Sequence, residues 1–223
     1  MKEKTLINFK EYAELLKESL EKNGIISEDT ARYLLFACVI NKYKLKGKET
    51  IKILQEVPYT DKKRLNAKTD SLKGNAKLDS FYDLGKEKYA IEFKFHRIKS
   101  ATGKKRDIPH TVNAGRVFND INRLSLIDKN IHKYFIYLTD EGMLKYKNGK
   151  EDASIFRKIF NQKDGVTKTI KQKQLKNEQK TFVDKAYSSF KTKDGLKDIK
   201  VTMIKSISIK EDKYCLMVLE VNK

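Results

Sequence analysis

Residues 77–95 read KLDSFYDLGKEKYAIEFKF, and the fold is decided there. Along 88–95, Tyr89, Ile91, Phe93 and Phe95 alternate with Lys88, Ala90, Glu92 and Lys94. A period of two sends the first set to one face of a sheet and the second set to the other. Asp83-Leu84-Gly85 supplies turn residues, so the stretch reads as two strands joined by a hairpin loop over 84–87. Pairing Asp83 with Lys88 then sets Asp79 directly opposite Glu92. Opposed side chains have Cβ atoms about 5 Å apart, where like charges repel. Two carboxylates so placed call for a cation, and a hard divalent metal is the usual one.

On the N-terminal side, Phe9, Tyr12, Ala13, Leu15, Leu16 and Leu20 have helical spacing over residues 8–22, with Asn23-Gly24 as a stop. Ser27 caps a second helix, whose first turn has Glu28 and Asp29 and whose body is apolar on most of its circumference. A further short helix is expected over 49–55, closed by Pro58.

On the C-terminal side, residues 96–110 read HRIKSATGKKRDIPH and have no apolar period, as in a basic loop. A helix is predicted over 114–127, with Ala114, Val117, Phe118, Ile121 and Leu124 on one stripe. Residues 133–139, KYFIYLT, read as a central strand. A short helix near 153–161 precedes 162–180, rich in lysine and glutamine, which reads as an exposed linker or solvated helix. Two more strands close the chain, over 201–209 and 214–221. Helices, a hairpin, a helix, a strand and a late strand pair make an α/β (α+β) fold, with a mixed sheet flanked by helices.

The chain has 223 residues and a net charge of +19, nearly all from lysine. Such a surface attracts polyanions, nucleic acid first among them. An AT-rich coding sequence also inflates lysine, but it does not require so large an excess over acidic residues. Cys38 and Cys215 have no CxxC partner, which argues against structural zinc or a disulfide framework and suits a cytoplasmic chain. Neither a signal peptide nor a membrane span is expected.

Asp79, then Glu92-Phe93-Lys94 at the end of a strand, then a helix and an apolar strand, resembles the PD-(D/E)xK nuclease superfamily. The segments IEFKFHR, AGRVFNDINRL and KYFIYLTD carry the likeness, which covers about residues 45–140. Leu78, not proline, precedes Asp79. The resemblance implies a restriction-endonuclease-like αβββαβ core, here within one domain. Residues 1–45 would be a helical extension, and residues 141–223 an accessory part with a C-terminal β-hairpin.

It further implies a Mg²⁺-dependent endodeoxyribonuclease of restriction, phage or defence type, with Mn²⁺ able to substitute. Asp79, Glu92 and Lys94 would form the catalytic set, and Asp79, Glu92 and the Phe93 backbone carbonyl would hold the metal. Glu49 or Glu56 are candidates for the additional carboxylate that some members draw from the first core helix. DNA contacts would fall to His96, Arg97, Lys99, Lys104, Lys105 and Arg106 of the basic loop, and to Arg116 and Arg123 of the following helix. Arg116, Asp120 and Arg123 are also spaced for plain intrahelical ion pairs. Symmetric cutting of both strands would call for a homodimer. The rival expectation is a non-catalytic nucleic-acid-binding module.

Overall fold

Asp83 pairs with Lys88 across the hairpin, and the loop between them closes as its residues dictate. The Asp83 side chain accepts the Gly85 N–H, Leu84 donates to the Glu87 carbonyl, and Gly85 takes the φ of 77° that a Cβ would resist. The computed structural model that shows this describes residues 7–23, 27–44, 52–85, 87–96, 110–148, 154–209 and 213–222.

Helix α1 (Phe9–Asn23) is capped by Asn8, whose side chain accepts the Glu11 N–H. Helix α2 (Glu28–Lys44) is capped by Ser27, which accepts from Thr30 at 3.0 Å. Strands β1 (Lys52–Pro58), β2 (Lys77–Asp83) and β3 (Lys88–His96) follow. Helix α3 (His110–Ser125) crosses over to β4 (His132–Asp140), which lies parallel to β3. The rest of the chain contains α4 (Glu141–Asn148), α5 (Ile155–Phe160), β5 (Thr167–Ile170), α6 (Gln172–Lys176) and α7 (Lys180–Ala186). It ends in the antiparallel pair β6 (Ile199–Ile209) and β7 (Tyr214–Asn222).

All strands join one seven-stranded mixed sheet in the order β1-β2-β3-β4-β7-β6-β5. One core lies between the sheet and α3, α5 and α7, around Phe81, Phe118, Phe135 and Phe156. The other lies under α1 and α2, around Tyr12, Leu35, Tyr89, Ile91 and Phe93. Among the described residues, no helix is long and apolar enough to cross a membrane.

Two expectations are corrected. The short helix expected over 49–55 is in its described part the strand β1, because antiparallel pairing with β2 satisfies its backbone and buries Val57. Pro58 fits at its end, since an edge strand leaves alternate N–H groups unpaired. Residues 162–180 are not a solvated linker. Ile170 and Leu175 enter the core, and buried Gln172 is satisfied by Asn122, Tyr187 and the Lys197 carbonyl.

Candidate functional site

The paired register runs from Asp83–Lys88 to Ser80–Ile91 and stops one step short of the Asp79–Glu92 pair that the sequence predicts. Beyond that point β2 leaves β3, and strand alternation breaks: Leu78 and Phe81 both reach the α3-side core. Across from Asp79, Glu56 takes a φ of 54°. Asp79 is thereby placed in the gap between the strands, where its Oδ2 accepts the Phe93 N–H at 2.7 Å. Two residues along the same edge, Glu28 of α2 accepts the Phe95 N–H at 3.0 Å. Carboxylates thus take over the N–H groups that a neighbouring strand would have used. A strand residue presents N–H and C=O on the same side, so the Phe93 carbonyl faces this gap as well.

Glu92 is 1% exposed. Its Oε1 accepts from the Tyr59 hydroxyl at 2.8 Å and lies 3.0 Å from Arg123 Nη2. Burial pushes its carboxyl well above the usual range; Arg123 opposes, and the neighbouring Asp79 and Asp120 carboxylates raise it further. Lys94 lies 3.3 Å from Asp120 Oδ2 on α3. Burial would lower its ammonium, but Asp120 and Glu28 outweigh that and hold it above its ordinary value. Lys94 is therefore held as a cation beside Asp120.

Each carboxylate of the expected metal set is paired with an arginine. Arg32 bonds Asp79 Oδ1 at 2.8 Å and also reaches Glu28 at 2.8 Å and Glu56 at 3.6 Å. Arg123 bridges Glu92 and Asp120, with its guanidinium 5.5 Å from the centre of the Tyr59 ring. Arg32 Nε, Arg123 Nε and Asp120 Oδ2 are buried without a hydrogen bond. Among the described residues no three His, Cys, Asp or Glu side chains group as a metal site. What does converge is the Asp79–Glu92 pair beside the Phe93 peptide, an all-oxygen donor set whose chemistry fits Mg²⁺.

Asp79, Glu92 and Lys94 thus come together. Arg123 is turned inward as the counter-ion of Glu92, so the nucleic-acid contact expected of it is replaced by an internal ion pair. Arg116 is exposed on α3 and near enough to His96 to affect it. His96 is turned in, with Nδ1 3.0 Å from the Tyr137 hydroxyl. Burial, with Lys94 and Arg116 nearby, pushes its pKa down to about 3, so the ring is neutral and offers no charge to a phosphate. Glu56 is exposed and reaches the site through Arg32 alone among these groups. Arg97, Lys99, Lys104, Lys105, Arg106 and Glu49 lie outside the described residues.

Glu28, Arg32 and Tyr59 belong to the site without a sequence signal that assigns them to it. Glu28 and Arg32 have the spacing of an intrahelical pair, and nothing local says that α2 lies across β3. Tyr59 had no signal at all. No family model, curated protein or solved structure matches the chain.

Proposed function

We propose that the chain is a Mg²⁺-dependent endonuclease that hydrolyses DNA phosphodiester bonds, with a restriction-endonuclease-like core. The observation that carries this reading is the Asp79–Glu92 carboxylate pair with Lys94 two residues on. The order α2-β1-β2-β3-α3-β4, with β1–β3 antiparallel and β3–β4 parallel, supports it. It fits the αβββαβ plan that the sequence resemblance implies, with α2 as the first core helix.

In this reading Asp79, Glu92 and the Phe93 carbonyl would hold the metal, with Glu28 as a further carboxylate on the same β3 edge. A bound Mg²⁺ would supply a water of lowered pKa and would neutralise phosphate charge there. Lys94, kept charged by Asp120, orients the attacking water and stabilises the charge that builds on the phosphate oxygens. Tyr59 and Arg123 fix Glu92, and Arg32 fixes Asp79. By resemblance the products have 5′-phosphate and 3′-hydroxyl ends, and the setting is cytoplasmic restriction, defence or phage DNA processing. A homodimer would cut both strands.

The test is plasmid cleavage with Mg²⁺, abolished by EDTA. Lys94→Ala should lose cleavage and keep DNA retention, and cleavage that survives in this variant sinks the assignment. The second reading is a nucleic-acid-binding module without catalysis. It is favoured by Arg32 and Arg123, which neutralise the carboxylates with no metal. Salt-dependent DNA binding without cutting under any divalent metal would select it.

A further inference from the structure

The lysine- and glutamine-rich stretch after residue 162 is left unused by the candidate site, yet it is folded and fixed. Helix α7 packs so closely on α3 that a Cβ at Gly115 would stand 2.5 Å from the Phe182 carbonyl oxygen. Ser189 and Asn119 exchange hydrogen bonds, both at 3.0 Å, and Asn122 donates to the Ala186 carbonyl. The segment 191–198 is tied to α6 by Lys176–Asp194 and by Gln172 to the Lys197 carbonyl. Lys193–Asp184 ties it to α7. One layer results, held to the same helix that brings Asp120 and Arg123 to Glu92.

Its acidic groups are all engaged. Glu178 accepts the Ile155 N–H and Asp198 the Gln172 N–H, while Asp184 and Asp194 pair with Lys193 and Lys176. Lys171, Lys173, Lys180, Lys191 and Lys197 are exposed and have no ion-pair partner among the described residues. The layer therefore presents uncompensated positive charge on a rigid support. Between 154 and 209 the one large apolar residue that is exposed is Val166. Without an aromatic platform the layer is poorly made for stacking single-stranded bases, and without an apolar wedge it is poorly made for a lipid surface. Lysines act as point charges and suit phosphates, not base edges.

We propose that this layer, built from α6, α7 and the 191–197 segment, is a sequence-independent docking surface for the phosphate backbone of duplex DNA. The proposal rests on the nuclease reading for the choice of DNA as the polyanion. It assigns to the accessory part the holding of the duplex beside the Asp79–Glu92 site.

The test measures full-length chain binding to a labelled duplex in EDTA, by anisotropy across a salt series. A variant with Lys171→Gln, Lys173→Gln and Lys180→Gln is compared with a control carrying Lys10→Gln, Lys17→Gln and Lys129→Gln. All six lysines are exposed, and the two variants lose equal charge. The layer variant is expected to lose about tenfold in affinity at about 150 mM salt, with a salt slope lower by about 0.9 for each lost phosphate contact. The control should change less than about threefold, as expected from long-range charge alone. Equal losses in the two variants would overturn the proposal, as would a wild type that does not bind duplex. So would a loss confined to phosphatidylserine vesicles or to single strands. A wild type that binds as expected but never cuts with Mg²⁺ refutes the nuclease reading and supports the docking surface.

Discussion

The backbone N–H of Phe93 donates to the Asp79 carboxylate at 2.7 Å, in the place where β2 would have continued its ladder with β3. Asp79 thus closes a strand edge and also meets Arg32 at 2.8 Å. Removing it leaves the Phe93 peptide N–H without an acceptor and takes from the Arg32 guanidinium one of its carboxylates, with Glu28 and Glu56 remaining. Asp79→Ala should therefore cost about 2 kcal/mol, and Asp79→Asn about 1, since the amide keeps an acceptor for Phe93. Urea unfolding reads both, and an alanine variant as stable as the wild type would show that this bond holds nothing.

Arg123 and Glu92 behave as a unit. Taking away Arg123 leaves Glu92 buried without its cation, and Arg123→Met should cost about 3 kcal/mol. Glu92→Gln in the same chain removes the uncompensated charge and should recover more than half of that loss. A double-mutant cycle measures the coupling. Additive effects would mean that the two side chains do not sense one another.

Acid should weaken the protein through His96. Its pKa is pushed down to about 3, against an unfolded value of about 6.5, so the unfolded chain binds the extra proton between these limits. Stability from this residue is complete above about 6.5 and falls by about 1.4 kcal/mol per pH unit as acid is added, down to about 3. Raised carboxyls such as Glu92 and Glu28 act with the opposite sign, so total stability alone is uninformative. The difference between wild type and His96→Gln isolates the residue. It should narrow or reverse from about pH 7 to about pH 4, and parallel curves would refute the buried neutral ring.

Gly115 sets the distance between α3 and α7. Gly115→Ala would drive a methyl group against the Phe182 carbonyl and the Lys185 Cβ, at 2.5 and 2.7 Å. Better helix propensity cannot repay that, and a loss of about 1–3 kcal/mol is expected. Proteolysis should then cut first within α6–α7, where the layer is pried from α3. A variant that is more stable than the wild type would place α7 elsewhere.

What the sequence determined was local. The turn at Asp83-Leu84-Gly85 and the period-two run to Phe95 fix the hairpin register as far as Ser80–Ile91, and where that ladder ends Asp79 is carried into the gap beside Phe93. The cap at Ser27 and the apolar run before Asp140 are equally short-range signals. The tertiary structure decided what those carboxylates meet. Arg32 and Glu28 come from a helix that ends before β1, Tyr59 follows β1, and Arg123 sits on the crossover helix. No periodicity encodes which side chains a packed helix lays across a strand edge. The same holds for residues 162–180, whose polar composition hides Gln172. Its amide is as welcome in the core as an apolar group because Asn122, Tyr187 and the Lys197 carbonyl satisfy it there. Burial of a polar group depends on partners brought from elsewhere in the chain, and only the folded molecule supplies them.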